Sequence, residues 1–359
     1  MEVGMGQFRN GMPRAARRLI PLALFLFLIG ILGASCAYGG AGTMPAPSQE
    51  QAATEEKEAP ADSAKSEEPA TRTVIDDTQR PVVIPSGPLR IAVTDAWMVE
   101  LLMACGHTPV ARPQIPDEHI YPAAAKDIPE IAISHSAGPN LEQLAAVQPD
   151  IVLTSSTFGR FAGPIAAALR IPVLIFNVNS IEGILEKMDT LGTLAGCEDE
   201  AQNAKSELEE RIAEQQQDLP DEGPVVFGVF GTSESFLAFT GQSYLGNMVE
   251  HLRGRLTTEG DPPYMYRGIP DPAYTPFSLE IVVERDPDVI LVVRHGGPSE
   301  AREGNFDSLY ANPAWAGLRA VQEERIYELS EWLYMQYPGP RVIQAMEELR
   351  PLLYPDAQE

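Results

Sequence analysis

Apolar residues in this chain fall into short runs and helical stripes, and the two alternate from about residue 73 onwards. Runs bounded by turn residues read as strands, whereas apolar positions three or four apart read as one face of a helix. Residues 73–85 (TVIDDTQRPVVIP) hold two β-rich runs around the polar stretch 76–79, which predicts a hairpin. Residues 89–93 predict a buried strand. From about residue 96 a helix follows, with Val99, Leu102 and Met103 on one face and Gly106 as its stop. A short strand is expected at 108–111, and further strands at 151–153 and 173–176 flank a helix at 162–169. Residues 180–217 carry many Glu, Leu, Ala and Lys residues, interrupted only near Gly192 and Gly196, and predict a long helix. A second α/β half then follows, with strands at 225–229, 289–293 and 325–329 and helices at 243–251 and 341–353.

One segment occurs twice. Residues 140–153 (NLEQLAAVQPDIVL) and 278–291 (SLEIVVERDPDVIL) align without a gap. Leu141/Leu279, Glu142/Glu280, Pro149/Pro287, Asp150/Asp288 and Leu153/Leu291 are identical pairs. Each copy reads as a capped helix, with Asn140 or Ser278 as N-cap, ended by proline and leading into an apolar strand. The separation is about that of one small domain. The expected fold is therefore α/β: two Rossmann-like lobes joined by a long helix, with a ligand cleft between the lobes. The boundaries read as a signal peptide over 1–35, an acidic tether over 36–72, an N-terminal lobe over 73–179, a linking helix over 180–217 and a C-terminal lobe over 218–359.

Charge narrows the partners. The formal net charge is −25, which argues against binding to a nucleic-acid backbone and suits a soluble acidic surface. Arg9, Arg14, Arg17 and Arg18 precede the apolar run 19–32, which is short for a membrane span and fits a signal-peptide core. Gly33-Ala34-Ser35-Cys36 follows and resembles a bacterial lipobox, which implies lipidation of Cys36, although Leu32 stands one place further back than usual. Residues 37–72 are Ala-, Glu-, Ser- and Pro-rich and too polar to build a core. The remaining cysteines, Cys105 and Cys197, read as two separate thiols rather than a disulfide framework.

The order of elements and several motifs resemble the substrate-binding proteins of ABC importers for iron complexes and cobalamin. The resemblance covers about residues 73–355. It rests on TVIDDTQRPVVIP, on EHIYPAAAKDIPEI leading into the first repeat copy, on TPFSLEIVVERDPDVIL and on NPAWAGLRAVQEERIYEL. It implies a periplasmic-binding-protein fold, an extracytoplasmic lipid-anchored location, and delivery of a small iron complex to a permease and its ATPase. It also implies that Glu142 and Glu280 dock with the permease. Both acids fall in a helix first turn, where the helix dipole favours them even without a partner.

Catalytic motifs are missing: the chain has no G-x-S-x-G, H-E-x-x-H, Walker A loop or C-x-x-C. None of its histidines (His107, His119, His135, His251 and His295) lies four residues from another, which excludes a local helical metal clip. His295 follows an expected strand directly and His135 precedes the first repeat helix, so each falls at a strand-end edge where α/β folds bind ligands. Each reads equally as a loop histidine facing water. The segments SYLGNMVEHL, ILVVRHGGPSE and NPAWAGLRAVQEERIYEL further resemble haem-receptor lipoproteins of the Isd type. That resemblance implies haem as cargo and His295 as an axial iron ligand, with His135 the best match for the ligand from the other lobe, where those relatives carry methionine. Tyr121, Phe158, Tyr274 and Trp332 are candidate walls for a flat macrocycle, and Arg294 is a candidate partner for ligand carboxylates. Siderophore or cobalamin capture stays open within the same family. So do a bare Zn²⁺ or Mn²⁺ receptor and, in another class, an exported metal-dependent enzyme or metallochaperone.

Overall fold

The computed structural model of the protein describes residues 70–115, 121–231, 235–266, 268–294 and 305–355. The expected leader, Cys36, most of the tether, His119, Arg267 and His295 lie outside these residues. The first strand, β1 (Thr71–Ile75), begins inside the span assigned to the tether and pairs antiparallel with β2 (Pro81–Pro85), Thr71 opposite Pro85. The Asp76 carboxylate holds the turn. It accepts bonds from the Thr78 amide at 3.0 Å and hydroxyl at 2.6 Å, and from the Arg80 amide at 3.1 Å and Nε at 3.0 Å.

Three parallel strands form the sheet of the first half in the order β3 (Ile91–Val93), β4 (Ile151–Thr154), β5 (Val173–Ile175). Every residue in them is buried, as expected of a parallel sheet covered on both faces. Helices α1 (Ala96–Ala104), α2 (Leu141–Ala146) and α3 (Ala162–Leu169) connect them. The strand expected at 108–111 is reduced to a single bridge, Ala92 to Ala111. Pro109 interrupts the run with no amide to donate, and pairing passes to Arg112–Pro113 against Glu130–Ile131.

The span 180–217 is helical but divided. Ser180 caps α4 (Ile181–Ala195) by accepting the Gly183 amide at 3.0 Å. Gly196 then turns left-handed at φ 71° and ends it, and α5 (Glu198–Gln215) folds back along α4. Ile181, Ile184, Met188, Leu191 and Leu194 make the buried stripe of α4, which packs on α1 and on a helix of the second half, α6 (Tyr244–His251). The connection between the halves is thus a helical hairpin rather than one rod.

The second sheet runs β8 (Tyr274–Pro276), β7 (Phe236–Phe239), β6 (Val225–Gly231), β9 (Val289–Arg294), β10 (Ile326–Leu329). β6, β9 and β10 are parallel, while β7 and β8 form an antiparallel edge that the sequence pattern did not announce. Helix α7 (Leu279–Arg285) precedes β9, and α8 (Val342–Leu353) closes the chain.

The repeat holds in atomic detail. Asn140 accepts the Glu142 and Gln143 amides at 3.0 and 3.1 Å, and Ser278 accepts the Ile281 amide. Eight residues beyond each cap, Gln148 and Asp286 turn left-handed, at φ 46° and 38°. The duplicated aspartates do the same work in both copies: Asp150 accepts the Arg90 amide and Asp288 the Val225 amide, each at 2.8 Å. Each copy therefore pins the start of the strand beside it, which sets the register of both sheets.

Candidate functional site

Beyond the carboxyl ends of β3, β4 and β5 lies a cleft of about 720 Å³, bounded on its other side by residues of the second half. In open α/β sheets this is where ligands bind, because strand ends and loop tips converge there. The volume lies within the range of small-molecule sites, about 300–1,000 Å³.

The first half supplies a polar floor. Asp95, the N-cap of α1, accepts the Thr94 hydroxyl at 2.9 Å, the Ser155 amide at 2.9 Å and the Ser155 hydroxyl at 2.6 Å. Burial pushes its carboxyl above the ordinary range, against the opposing pull of the Ser155 and Thr94 hydrogen bonds and the charge of His135. Asn177 accepts the Ser156 amide at 2.9 Å, which fixes the loop after β4. Asn179 donates to the Gln242 carbonyl at 2.9 Å and ties this rim to the second half.

His135 sits on the wall of this cleft. It is carried by a tight pair of extended segments, Ile133–Ser134 against Gly138–Pro139. The Ser134 hydroxyl closes the loop through the Ser136 hydroxyl at 2.9 Å and amide at 3.2 Å. Gly138 is required there: its φ is +80°, and a Cβ would lie 2.7 Å from the Phe161 ring. The exposed imidazole stacks on Phe158, centroids 5.2 Å apart and planes 21° from parallel.

From the second half come Tyr274, Trp332 and Met335. Tyr274 is held against Phe239 at 5.5 Å and Phe230 at 6.0 Å, and its hydroxyl resists ionisation because burial, Asp271 and Glu331 all oppose it. Trp332 and Met335 belong to one π-helical turn, Trp332–Gln336, an irregularity found often at functional sites.

Four of the expected ligand contacts thus line one cleft: His135, Phe158, Tyr274 and Trp332. Two do not. Tyr121 is 7% exposed, its hydroxyl donates to the Pro113 carbonyl at 2.7 Å, and the Arg112 guanidinium lies 4.6 Å over its ring. It packs inside the first half because Arg112, itself bonded to Glu130 at 2.8 Å, needs a covered face. Arg294 lines a separate depression with Trp315 and Glu328, pairing with Glu328 at 3.1 Å and lying 4.4 Å over Phe306. His295 begins the segment outside the described residues. Sequence reasoning passed over Asp95, Asp271 and Met335, all of which line the cleft. The polar break after strand β3 was the available signal for Asp95; nothing in the local pattern marks Met335.

Glu142 and Glu280 are both exposed in the first turns of α2 and α7, with no ion-pair partner among the described residues. Cys105 and Cys197 are free thiols. Burial, the neighbouring Cys197 and Asp189 push Cys105 up to about 12. Among the described residues no helix is long and apolar enough to cross a membrane, and no three His, Cys, Asp or Glu side chains gather to hold a bare metal ion.

Comparison with known proteins places this geometry. The high-affinity heme uptake system protein IsdE of Staphylococcus aureus is 25% identical over 242 residues, which cover 66% of this chain and 77% of that one. The crystal structure of S. aureus IsdE complexed with heme superposes at a TM-score of 0.63 with 23% identity, over 75% of this chain and 100% of that one. The petrobactin-binding protein YclQ of Bacillus subtilis superposes at 0.63 with 16% identity, over 79% of this chain and 99% of that one. Residues 91–332 match the profile of the periplasmic binding proteins. On that match, which spans more than half the sequence, the chain belongs to the periplasmic binding protein family and is a substrate-binding protein, not an enzyme.

Proposed function

We propose that this protein is the extracytoplasmic receptor of an ABC importer and that its cargo is haem, taken up in the cleft with the His135 imidazole as an axial ligand of the iron. The observation that carries the reading is the placement of His135 on the cleft wall, stacked on Phe158, with Tyr274 and Trp332 supplied by the other half. Aromatic walls suit a flat macrocycle and an imidazole can ligate its iron, and the walls here come from both halves. The likeness to a haem uptake protein supports the same reading. His295, next after Arg294 at the end of β9, is the proposed second axial ligand. Glu142 and Glu280 are the proposed grips for the permease, one on each half. Cys36 is the proposed lipid anchor; replacing it with serine should move the protein from the membrane fraction to the soluble fraction, and retention at the membrane would refute the anchor.

A ferric siderophore is the second reading. It is favoured by the neutral hydrogen-bonding groups of the cleft, among them Gln114, Asn177, Asn179 and Gln336. Titration separates the two. Haem should give saturable one-to-one binding with a shifted Soret band. An unshifted band, with saturable quenching of Trp97 and Trp332 fluorescence by a ferric hydroxamate, would replace haem with a siderophore.

A further inference from the structure

One wall of the cleft leans on a residue that lies outside it. Asp76 and Asp77 stand side by side in the turn of the β1–β2 hairpin. Asp76 closes the turn itself, whereas the bonds of Asp77 run to segments far along the chain. Its amide donates to the Ile175 carbonyl at 3.0 Å. One carboxylate oxygen accepts the Asn177 amide and the other the Lys187 ammonium, each at 2.7 Å. Lys187 is 6% exposed and lies 5.1 Å over the Phe176 ring, so a buried cation of α4 holds the carboxylate in place from behind.

Asn177 opens the stretch 177–179, which follows β5 and lines the cleft. While Asp77 holds its amide, the Asn177 side chain accepts the Ser156 amide at 2.9 Å. Ser156 belongs to the loop after β4. The next two residues of that loop, Thr157 and Phe158, also line the cleft, and Phe158 carries the stacked His135. Asp95 fixes one end of this loop through Ser155, and the hairpin fixes its middle through Asn177. Residues 155–158 and 177–179 lie in neither helix nor strand, so side-chain hydrogen bonds do for their backbone what a ladder does elsewhere. A continuous chain of bonds thus runs from Asp77 through Asn177 and Ser156 to the loop that bears the aromatic seat of His135.

We propose that Asp77 is a positioning residue for ligand binding: from outside the cleft, its carboxylate sets the loop after β5 and, through Asn177, the loop that bears Phe158. The proposal deepens the reading of this cleft as the ligand site and rests on it. It gives the leading hairpin, which precedes the residues 91–332 matched to the family, a part in affinity. With the carboxylate in place the loops are ordered before the ligand arrives; without it, the ligand must order them as it binds, which weakens the complex.

Asp77→Asn separates the two carboxylate bonds. Its amide oxygen stays with the Lys187 ammonium, the stronger partner, which turns the NH2 group towards the Asn177 N–H and sets donor against donor. Arg72→Ala is the comparison. Arg72 also pins the hairpin to α4, through the Thr193 carbonyl at 2.8 Å, but that bond leads to neither cleft loop. The full purified protein and both variants are titrated with haem by Soret absorbance and with a neutral ferric tris-hydroxamate by tryptophan fluorescence. Thermal midpoints and amide hydrogen exchange are measured without ligand. Asp77→Asn should weaken whichever probe the unaltered protein binds by at least about five-fold and should speed exchange at the Asn177 and Ser156 amides. Asp77→Ala combined with Lys187→Met, which removes both charges together, should weaken binding by a similar factor. Arg72→Ala should lower the thermal midpoint yet leave affinity and those two amides within about two-fold. Unchanged affinity or unchanged exchange in Asp77→Asn, or an equal loss of affinity in Arg72→Ala, would overturn the proposal and leave the reading of the cleft intact. Failure of both probes to bind the unaltered protein would overturn that reading, and the proposal with it.

Discussion

Asp76 ties a single side chain to the pH range of the fold. It is 1% exposed in the β1–β2 turn, and burial alone would raise its pKa. The Arg80 and Thr78 hydrogen bonds outweigh that and lower it from 3.8 to about 2. Because the folded value lies below the unfolded one, its stabilisation is fully present above about pH 4 and is lost as the pH falls towards 2. Asp76→Asn should remove on the order of 1–2 kcal/mol at neutral pH and flatten the fall in thermal midpoint between pH 4 and 2. An unchanged acid-unfolding profile would refute the assignment. At this scale the sequence was legible where chemistry is local. The hairpin residues 76–79 were visible as a polar break, and His135, Phe158, Tyr274 and Trp332 as loop residues able to reach a ligand. Tyr121 and Arg294 looked equivalent on the page, but only the folded chain shows Arg112 covering one and Glu328 holding the other.

Among the elements, α2 and α7 form a matched pair. Both begin at a side-chain cap, both place a glutamate in the first turn, and both are followed by a left-handed residue eight positions past the cap. Their exposed carboxylates, one on each half, present the same acid twice to any partner built from two similar subunits. Glu142→Arg combined with Glu280→Arg should reduce uptake by at least about ten-fold while leaving ligand affinity unchanged. A fall in affinity would instead assign these acids to the site or the fold. These helices were legible because caps, proline stops and apolar stripes are signals within a few residues of each other. The division at Gly196 and the lost strand at 108–111 depended on what the segment packs against. Gly196 was noticed as a break, but the return of α5 along α4 is a tertiary fact. So is the antiparallel edge of β7 and β8, which needs the chain to double back on β6.

Across the molecule, one continuous buried cluster joins the halves. It runs from Leu101 and Leu102 of α1 through Met188 and Leu191 of α4 to Val249 of α6 and Leu349 of α8. The Tyr337 hydroxyl, buried at the same seam, donates to the Ala96 carbonyl at 3.0 Å. Halves that share a core are limited to small relative movements, so the cleft is largely formed before its ligand arrives. Repeat and α/β alternation together made this two-part plan readable. The cleft's polar floor was not readable, since Asp95 and Ser155 come from segments far apart in sequence, and nothing in the local pattern marks the π turn that bears Met335. The account turns on His135 as an iron ligand, and the absorption spectrum of the haem-loaded protein beside that of His135→Ala tests it most directly. A six-coordinate, low-spin ferric spectrum in the unaltered protein, lost or converted to high spin in His135→Ala, is the predicted result. Identical spectra for the two proteins would contradict it.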